Sequence, residues 1–528
     1  MSVRECESDS SNEIIFARKR PRMDVFLSSD EEEEIVEEWH DPRGNQPKIV
    51  PFTHPSRFVR EHIGSDIAVE TSYQLFVPDE LIEQIAEQTN LYTAQKIEAG
   101  YTQRLAKWTE TSTSEIKRFF GLVLWMGLVK LPAIHHYWSN DPAYLQTFAK
   151  AVMSRNRFEL LLRMLHFVDN EKDNGSNRLN KIQPIIDILE TNYKKYYNPT
   201  EDICIDESLI PFRGRIVFRQ YLKQKCHKYG IKIFKLCCGS GYTYALRVYT
   251  GKTLEKEKTT PTNIVMSLCE DLFDKGHTLY TDNWYTSLEL AEKLISKNTH
   301  LVGTLRTNRR GNSHQVLSTK LKRGEIIAKE NNQGITILKW KDKKDILALS
   351  TKHSSEMVNV ECRFGSQIKP QIIVDYNRQK SAVDLSDQMN AYNNPLRKSL
   401  KWYRKIAFEL LLNTTVVHSY ILYKNITKQK ISITEFRKKL AVHLTSCDKE
   451  NISPSRIARR SGKKHKLERK SGKVSEVRKY CKLCYDKNVR KDGRVMARRK
   501  IKRVVTFCDT CEGKPFLCLP CYNESHFL

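Results

Sequence analysis

Four aspartates stand where regular elements begin or end. Asp206 closes the apolar run Asp202-Ile203-Cys204-Ile205-Asp206. Asp282 follows Thr278-Leu279-Tyr280-Thr281, and Asp384 and Asp387 lie three apart in Ser381-Ala382-Val383-Asp384-Leu385-Ser386-Asp387. Strand alternation puts Ile203 and Ile205 on one face and Cys204 and Asp206 on the other. An i, i+3 spacing puts Asp384 and Asp387 on one helical face. Singly, each has a plain structural reading. Asp206 starts a turn before Pro211, Asp282 makes a strand-to-helix turn, Asp384 is the inner acid of a capping box begun by Ser381, and Asp387 is a solvated face. Jointly they suggest chemistry. Carboxylates brought to one point repel unless a divalent cation lies between them, and hard oxygen ligands suit Mg²⁺ or Mn²⁺. Two such ions about 4 Å apart activate a water or 3′-hydroxyl and stabilise the leaving oxygen of a phosphodiester. Asp206, Asp282 and Asp384 are the candidate metal ligands, and with Asp387 they form the candidate catalytic set.

A second set lies near the C-terminus. Cys481-x2-Cys484, Cys508-x2-Cys511 and Cys518-x2-Cys521, followed by His526, repeat the thiolate spacing of tetrahedral Zn²⁺ sites. Seven ligands are one short of two full sites, so the zinc count and the eighth ligand stay open. The N-terminus lacks an apolar h-region, so no secretory signal is expected, and a reducing compartment favours metal over disulfides. The other eight of the 14 cysteines, among them Cys237 and Cys238, read as buried thiols.

The charge points to a polyanion. The 528 residues carry a net +27. Residues 456–503 alone hold 21 Lys and Arg against four acids, too dense for a plain solvated linker and suited to a phosphate backbone, with Arg459, Arg460, Lys463 and Lys464 as candidate contacts. The longest apolar run, Phe119 to Val129, is too short to span a bilayer, and no membrane partner is expected. The basic cluster Ala17 to Arg22 fits a nuclear import signal, and the acidic block from Glu31 to Glu34 follows Ser28 and Ser29, which an acidic-site kinase could modify.

The elements that must position these residues change period along the chain. Residues 1–55 read as a disordered charged tail. Residues 56–200 read as helical: Pro78-Asp79 opens an amphipathic helix, Ser112-x-x-Glu115 is a capping box, and Met153 to Val168 continues the pattern. From residue 201 strands appear at Ile203–Ile205, Ile231–Leu236, Ala245–Tyr249, Thr278–Tyr280 and Leu301–Leu305, with a helix capped at Thr286 between the last two. This is an α/β layer over 201–308, resumed over 371–400 by a strand at Ile372–Val374 and a helix from Ser381. It is interrupted at 309–370 by an insertion with short β runs. Trp402 to Tyr423, within a helical segment 401–445, is apolar nearly all round, as a buried helix must be. A basic linker (446–477) leads into the cysteine-rich unit (478–528).

The motifs resemble those of the piggyBac transposase family. The resemblance rests on Ile205-Asp206-Glu207-Ser208-Leu209, Phe212-Arg213-Gly214-Arg215, Lys228-Tyr229-Gly230-Ile231-Lys232, Thr281-Asp282-Asn283-Trp284-Tyr285-Thr286-Ser287 and Val383-Asp384-Leu385-Ser386-Asp387-Gln388-Met389. Thr89, Asn90, Tyr92 and Trp402 also match, and order and spacing hold from about residue 55 to the end. The resemblance implies an α/β multidomain chain: an RNase H-like catalytic domain of the DDE/D type with an insertion, a helical domain for dimerisation and DNA binding, and a C-terminal zinc-binding domain that holds element-end DNA. It implies that Asp206, Asp282 and Asp384 bind metal, that Asp387 supports them, and that Trp402 lies near the catalytic centre. Arg213 and Arg215 are then candidate DNA contacts. It further implies cut-and-paste strand transfer at TTAA sites of double-stranded DNA by a nuclear homodimer. The final cysteine ligands and the long interval between Cys484 and Cys508 depart from the family pattern.

Two other readings compete. A host-adopted DNA-binding protein would keep the fold and use only its basic and zinc parts. A RING-like ubiquitin ligase would use the cysteines but leaves the aspartates without a role and lacks an eighth ligand.

Overall fold

The computed structural model describes residues 38–54, 58–59, 66–100, 105–172, 175, 177–223, 227–251, 260–362, 365–396, 400–446, 465–489, 501, 503–511 and 513–526. The basic cluster Ala17 to Arg22, Ser28, Ser29, the acidic block, and Arg459, Arg460, Lys463 and Lys464 lie outside the described residues. The contacts divide the chain into two units: residues 1–54, 201–205 and 260–381, and residues 55–200, 206–259 and 382–528. Strand β1 (Asp202–Pro211) is split between them after Ile205. Its companions in chain order are β2 (Gln220–Tyr221), β3 (Tyr229–Cys238), β4 (Thr243–Val248), β5 (Thr278–Thr281), β6 (His300–Thr304), β7 (Ile326–Glu330), β8 (Thr336–Lys341) and β9 (Asp345–Ser350).

In the first unit the start of β1, β5 and β6 run parallel, and β9, β8 and β7 continue the order antiparallel. The expected insertion therefore extends the sheet: β9 pairs with β6 through Val302↔Ser350 to Thr304↔Ala348. The helix Leu288–Ile295 buries Leu290, Ala291 and Leu294. Its cap is one residue later than the sequence suggests. Ser287 accepts from the Leu290 N–H, while the Thr286 hydroxyl is engaged by Thr281 and the Asp282 carbonyl. The apolar triplet Ile372–Val374, expected as a strand, lies in a helix (Gln371–Gln379) that follows Pro370 and buries Ile372 and Ile373. A short apolar run has no period of its own, so tertiary packing decided between strand and helix.

Residues 38–54, expected within the disordered tail, form an extended arm pinned to the fully buried Glu330. Its carboxylate accepts the backbone N–H groups of Arg43, Gly44 and Asn45 and the Gln46 amide. Four donors replace the water that a buried carboxylate loses. Gly334 (φ +76°) lets this arm approach: a Cβ there would lie 2.0 Å from the Asn45 carbonyl oxygen. Local charge patterning gave no hint of a partner 285 residues away.

The second unit is a large helical core. It contains the helices Asp79–Glu98, Thr113–Leu128 (capped by Ser112, which accepts from the Glu115 N–H), Arg155–Met164 and Gln183–Tyr196. The helical stretch Trp402–Thr427 is long and apolar enough to cross a membrane, yet 94% of its most apolar window is buried inside the protein. It includes a π-helical turn at Leu410–Thr414. In this unit β3 lies beside β1 and β2, with β4 on β3. At Gly230 a Cβ would meet the Ile210 carbonyl oxygen at 2.3 Å, so β3 needs that glycine to lie close to β1.

Candidate functional site

Register positions two of the acids. Ile205 of β1 pairs with Thr281 of β5, the last registered couple of two parallel strands. Asp206 and Asp282 are the next residue of each. Both are partly exposed. Asp206 Oδ1 accepts the Glu207 N–H at 2.7 Å, and Asp282 Oδ1 accepts the Trp284 N–H at 2.9 Å. The Asp282 turn is braced from one side by arginines that sequence reasoning passed over. Arg306 Nε donates to Asn283 Oδ1 at 3.1 Å, and Arg309 donates to the Asn283 and Trp284 carbonyl oxygens. Burial, then the neighbouring Arg306 charge, lowers the Arg309 pKa, with Asp282 opposing. The available signal was the run Arg306-Thr307-Asn308-Arg309-Arg310, one residue past the end of β6.

The helix Ala382–Ala391 carries the other two. Asp384 is exposed and has no hydrogen-bond or ion-pair partner among the described residues. Asp387 is tied down: its Oδ1 accepts from Lys235 Nζ at 2.9 Å and from the Ser208 hydroxyl at 2.5 Å. Lys235, on β3, has a side chain only 1% exposed, against 35% for Asp387. A solvated-face reading of Asp387 does not account for that pair. Further along, Asn390 donates to the buried Glu409, which also accepts from Asn413. Burial raises the Glu409 pKa, with Lys235 opposing. Gly241 (φ +80°) receives the helix on the turn between β3 and β4, where a Cβ would lie 2.6 Å from Met389 Cε. This helix is held by an ion pair, an amide network and a close backbone approach.

Arg213 and Arg215 lie exposed on the loop after β1, and Arg219 donates to the Arg213 and Gly214 carbonyl oxygens. Trp402 begins its helix half-buried, edge-on to Phe218 at 5.5 Å.

Among the described residues, two groups of three or more potential metal ligands lie within 4.8 Å of one another. The carboxylates do not form a third. The first group is Cys481, Cys484, Cys518 and Cys521, with sulfur separations of 3.7 Å (481–518), 3.8 Å (484–518) and 3.3 Å (484–521). Four thiolates about 2.3 Å from one ion would be about 3.8 Å apart, so the set fits tetrahedral zinc. Burial alone would raise the Cys481 thiol, but N–H groups of Cys484 and Cys518 outweigh it and hold the thiol below its usual value. Burial pushes Cys484 up to about 11. The second group is Cys508, Cys511 and His465, whose Nδ1 is 3.4 Å and 3.3 Å from the two sulfurs.

His465 was missed because it lies inside the basic run, 16 residues before the first cysteine. The small sheet pairing Leu467–Arg469 with Thr506–Cys508 brings it in, so the cysteine-rich unit begins earlier than residue 478. The two groups interleave along the chain, as in a cross-braced pair. The His526 side chain lies outside the described residues.

Residues 70–420 match the family model described as Transposase IS4, which sets the class of protein. Human PiggyBac transposable element-derived protein 3 is 26% identical over 394 residues, covering 70% of this chain and 63% of its own length. Human PiggyBac transposable element-derived protein 2 is 22% identical over 437 residues, covering 79% and 72%. A cryo-EM structure of a piggyBac transposase synaptic complex with hairpin DNA superposes with a TM-score of 0.67 at 26% identity, covering 77% of this chain and 87% of that one. The chain belongs to the piggyBac transposase family. It spans less than two thirds of human protein 3 and 35% of a human chimeric ERCC6-PGBD3 protein.

Proposed function

We propose that this chain is a metal-dependent DNA strand transferase, in which Asp206, Asp282 and Asp384 are the divalent-metal ligands. The single observation that carries the proposal is the Ile205↔Thr281 register, which leaves an aspartate as the next residue on each of two neighbouring parallel strands. The strand order β4-β3-β1-β5-β6, with β1, β5 and β6 parallel, supports an RNase H-like reading of the catalytic layer. Mg²⁺ or Mn²⁺ fits the all-oxygen donor set, and when bound it supplies activation of a water or 3′-hydroxyl and charge stabilisation at the phosphodiester.

The chain's own residues then have distinct tasks. Asp384, exposed and unpartnered among the described residues, is available as a ligand. Asp387, neutralised by Lys235, is a positioning residue that fixes the Asp384 helix. Arg306 and Arg309 hold the Asp282 turn. The thiolate sets fit two zinc ions, Cys481/Cys484/Cys518/Cys521 for one and Cys508/Cys511/His465 for the other. The relative solved on hairpin DNA supports double-stranded DNA as partner, and by family resemblance the target is TTAA, the state a homodimer and the location the nucleus.

The human relatives, named as element-derived proteins, favour a second reading: a domesticated DNA-binding protein without transposition. A strand-transfer assay with TTAA-flanked ends separates the two. Activity abolished in Asp206→Ala, Asp282→Ala and Asp384→Ala is the expected result. A wild-type chain that binds these ends without cleaving them selects the second reading, and undiminished activity in any variant removes that residue from the site.

A further inference from the structure

The buried apolar stretch Trp402–Thr427 departs from α-helical geometry for one turn, Leu410–Thr414, where it meets the helix that carries Asp384. A π-turn carries an extra residue, which disturbs the regular ladder and costs energy unless the affected polar groups find partners. Side chains from two other helices supply them. The Tyr73 hydroxyl, from the helix Val69–Gln74, donates to the Leu411 carbonyl oxygen at 3.0 Å. Arg437 Nη1, from the helix Ile433–Ser446, donates to the Leu412 carbonyl oxygen at 3.0 Å and to Asn413 Oδ1 at 3.2 Å. Tyr73, Asn413 and Arg437 are all buried. Packing alone does not call for such an arginine: the residue is almost never fully buried unless paired. Its Nε and Nη2 have no partner among the described residues, so its place in the core follows from Nη1 and from its charge.

The turn places an acid. Glu409 directly precedes it, and Asn413 Nδ2, from within it, donates to Glu409 Oε2 at 2.8 Å. The other oxygen, Oε1, accepts from Asn390 Nδ2 at 3.1 Å, and Asn390 belongs to the Asp384 helix. Lys235 and Arg437 both lie within charge–charge range of Glu409. Burial lowers the Arg437 pKa to about 10, with Glu409 opposing, so the guanidinium is charged at neutral pH. Two buried cations, Lys235 and Arg437, therefore stand against two acids, Asp387 and Glu409. Buried ion pairs stabilise a core little compared with apolar side chains of the same volume. The gain is in geometry. The Asp384 helix is gripped three residues beyond Asp384 from β3, through Asp387, and six residues beyond it from the π-turn, through Asn390.

We propose that Glu409 is a positioning residue for Asp384: the π-turn, fixed by Tyr73 and Arg437, sets the Glu409 carboxylate, which fixes the Asp384 helix through Asn390. The role rests on the reading of Asp384 as a divalent-metal ligand and adds a device in the helical core that acts behind it. Removing a group that orients a ligand commonly weakens metal binding by about 10- to 100-fold. The device joins three helices distant in sequence, Val69–Gln74, Trp402–Glu409 and Ile433–Ser446, to the one that presents Asp384.

The test uses the full-length protein with Mn²⁺ as the probe. Before Mn²⁺ is added, Glu409→Gln is expected to speed amide hydrogen exchange across the helix Ala382–Ala391 about tenfold, with the helix Thr113–Leu128 unchanged. Titration followed by electron paramagnetic resonance should show the Asp384-dependent site, defined as the signal lost in Asp384→Asn, weakened about tenfold. The exchange Glu409→Gln/Asn390→Asp returns one carboxylate and one amide to facing positions with their roles reversed. It should recover most of both losses, whereas Asn390→Asp alone sets two carboxylates face to face and should recover none. Tyr73→Phe deletes one hydroxyl and keeps the ring. It should shift both readouts in the same direction by less, and it serves where melting curves show that Glu409→Gln fails to fold. Ordinary core damage would lower the melting temperature with Mn²⁺ affinity unchanged, and the exchange pair would add the losses of its parts. Either result overturns the role while Asp384 stands as a ligand. A wild-type chain with no Asp384-dependent Mn²⁺ site instead overturns the metal-ligand reading, and the positioning role with it.

Discussion

The cysteine-rich segment and the carboxylate region place their candidate ligand side chains in opposite ways. Seven described thiol and imidazole ligands gather within 4.8 Å in two sets, drawn from residues 465–521 and built around paired strands only two or three residues long. The aspartates come from segments up to 178 residues apart (Asp206 to Asp384) and are not gathered to that degree. Charge is the reason. A protonated thiol is a small apolar group and can pack against others, as Cys481, Cys508 and Cys521 do with Leu517 and Tyr522. Ionised carboxylates repel, so a fold must seat them on rigid elements and keep them solvated or paired. Asp387 is paired, Asp384 solvated, and Asp206 and Asp282 accept backbone N–H groups.

That contrast can be broken most decisively by removing metal. A segment with such short strands has little core of its own, and zinc binding of about 10 kcal/mol or more would constitute its folding energy. Chelation should therefore abolish hydrogen-exchange protection across residues 465–526 and leave β1–β9 protected. Loss of protection in both regions would erase the distinction. Elemental analysis should find two zinc ions per chain, falling to one in Cys484→Ser and to one in His465→Ala.

The next largest effect is kinetic. Asp206→Asn, Asp282→Asn and Asp384→Asn should each reduce strand cleavage by roughly a thousandfold or more, since groups acting as one unit fail together. Their melting temperatures should stay level or rise, because each removes a repelling charge. A strongly destabilised variant would show the carboxylates to be structural.

Smaller, but sharper about Asp387, is an asymmetry within its ion pair. Asp387→Ala leaves a fully buried ammonium unpaired and should cost about 3 kcal/mol in a denaturant titration. Lys235→Met leaves a carboxylate that water reaches and should cost about half as much. Equal costs would place the two groups in similar environments, contrary to their burial.

The smallest effect is on pH dependence. Burial lowers His166 and His300 to about 4 from the usual 6.5. The unfolded chain thus binds more protons between these values. Stability from the two residues is fully present above about pH 6.5 and is lost as pH falls toward 4. His300→Gln should flatten the fall in melting temperature across that window, and an unchanged slope would show that His300 titrates normally in the fold.

Legibility followed the range of each interaction. The strands at 203–205, 231–236, 278–280 and 301–305, the helix from Asp79 and the Ser112 cap were readable because alternation, period and capping are local signals. The helix at Ile372–Val374 and the docked arm at 38–54 were not: the first is a triplet without period, and the second depends on Glu330. Among site residues, the CxxC pairs announced themselves by spacing, whereas His465, Lys235 and Arg309 look like ordinary members of basic or β-rich stretches. Only their partners distinguish them.

Sequence by itself determined the chemistry on offer, namely hard oxygen ligands beside apolar runs, soft ligands in repeated pairs and an excess of positive charge, because residue type fixes donor hardness and charge. It did not show that β1 runs on through Asp206 to Pro211 instead of turning there. Tertiary structure alone decided which of these meet. It set Ile205 against Thr281, buried Lys235 against Asp387 and brought His465 to Cys508 and Cys511, since register and burial depend on contacts between segments that no local pattern records.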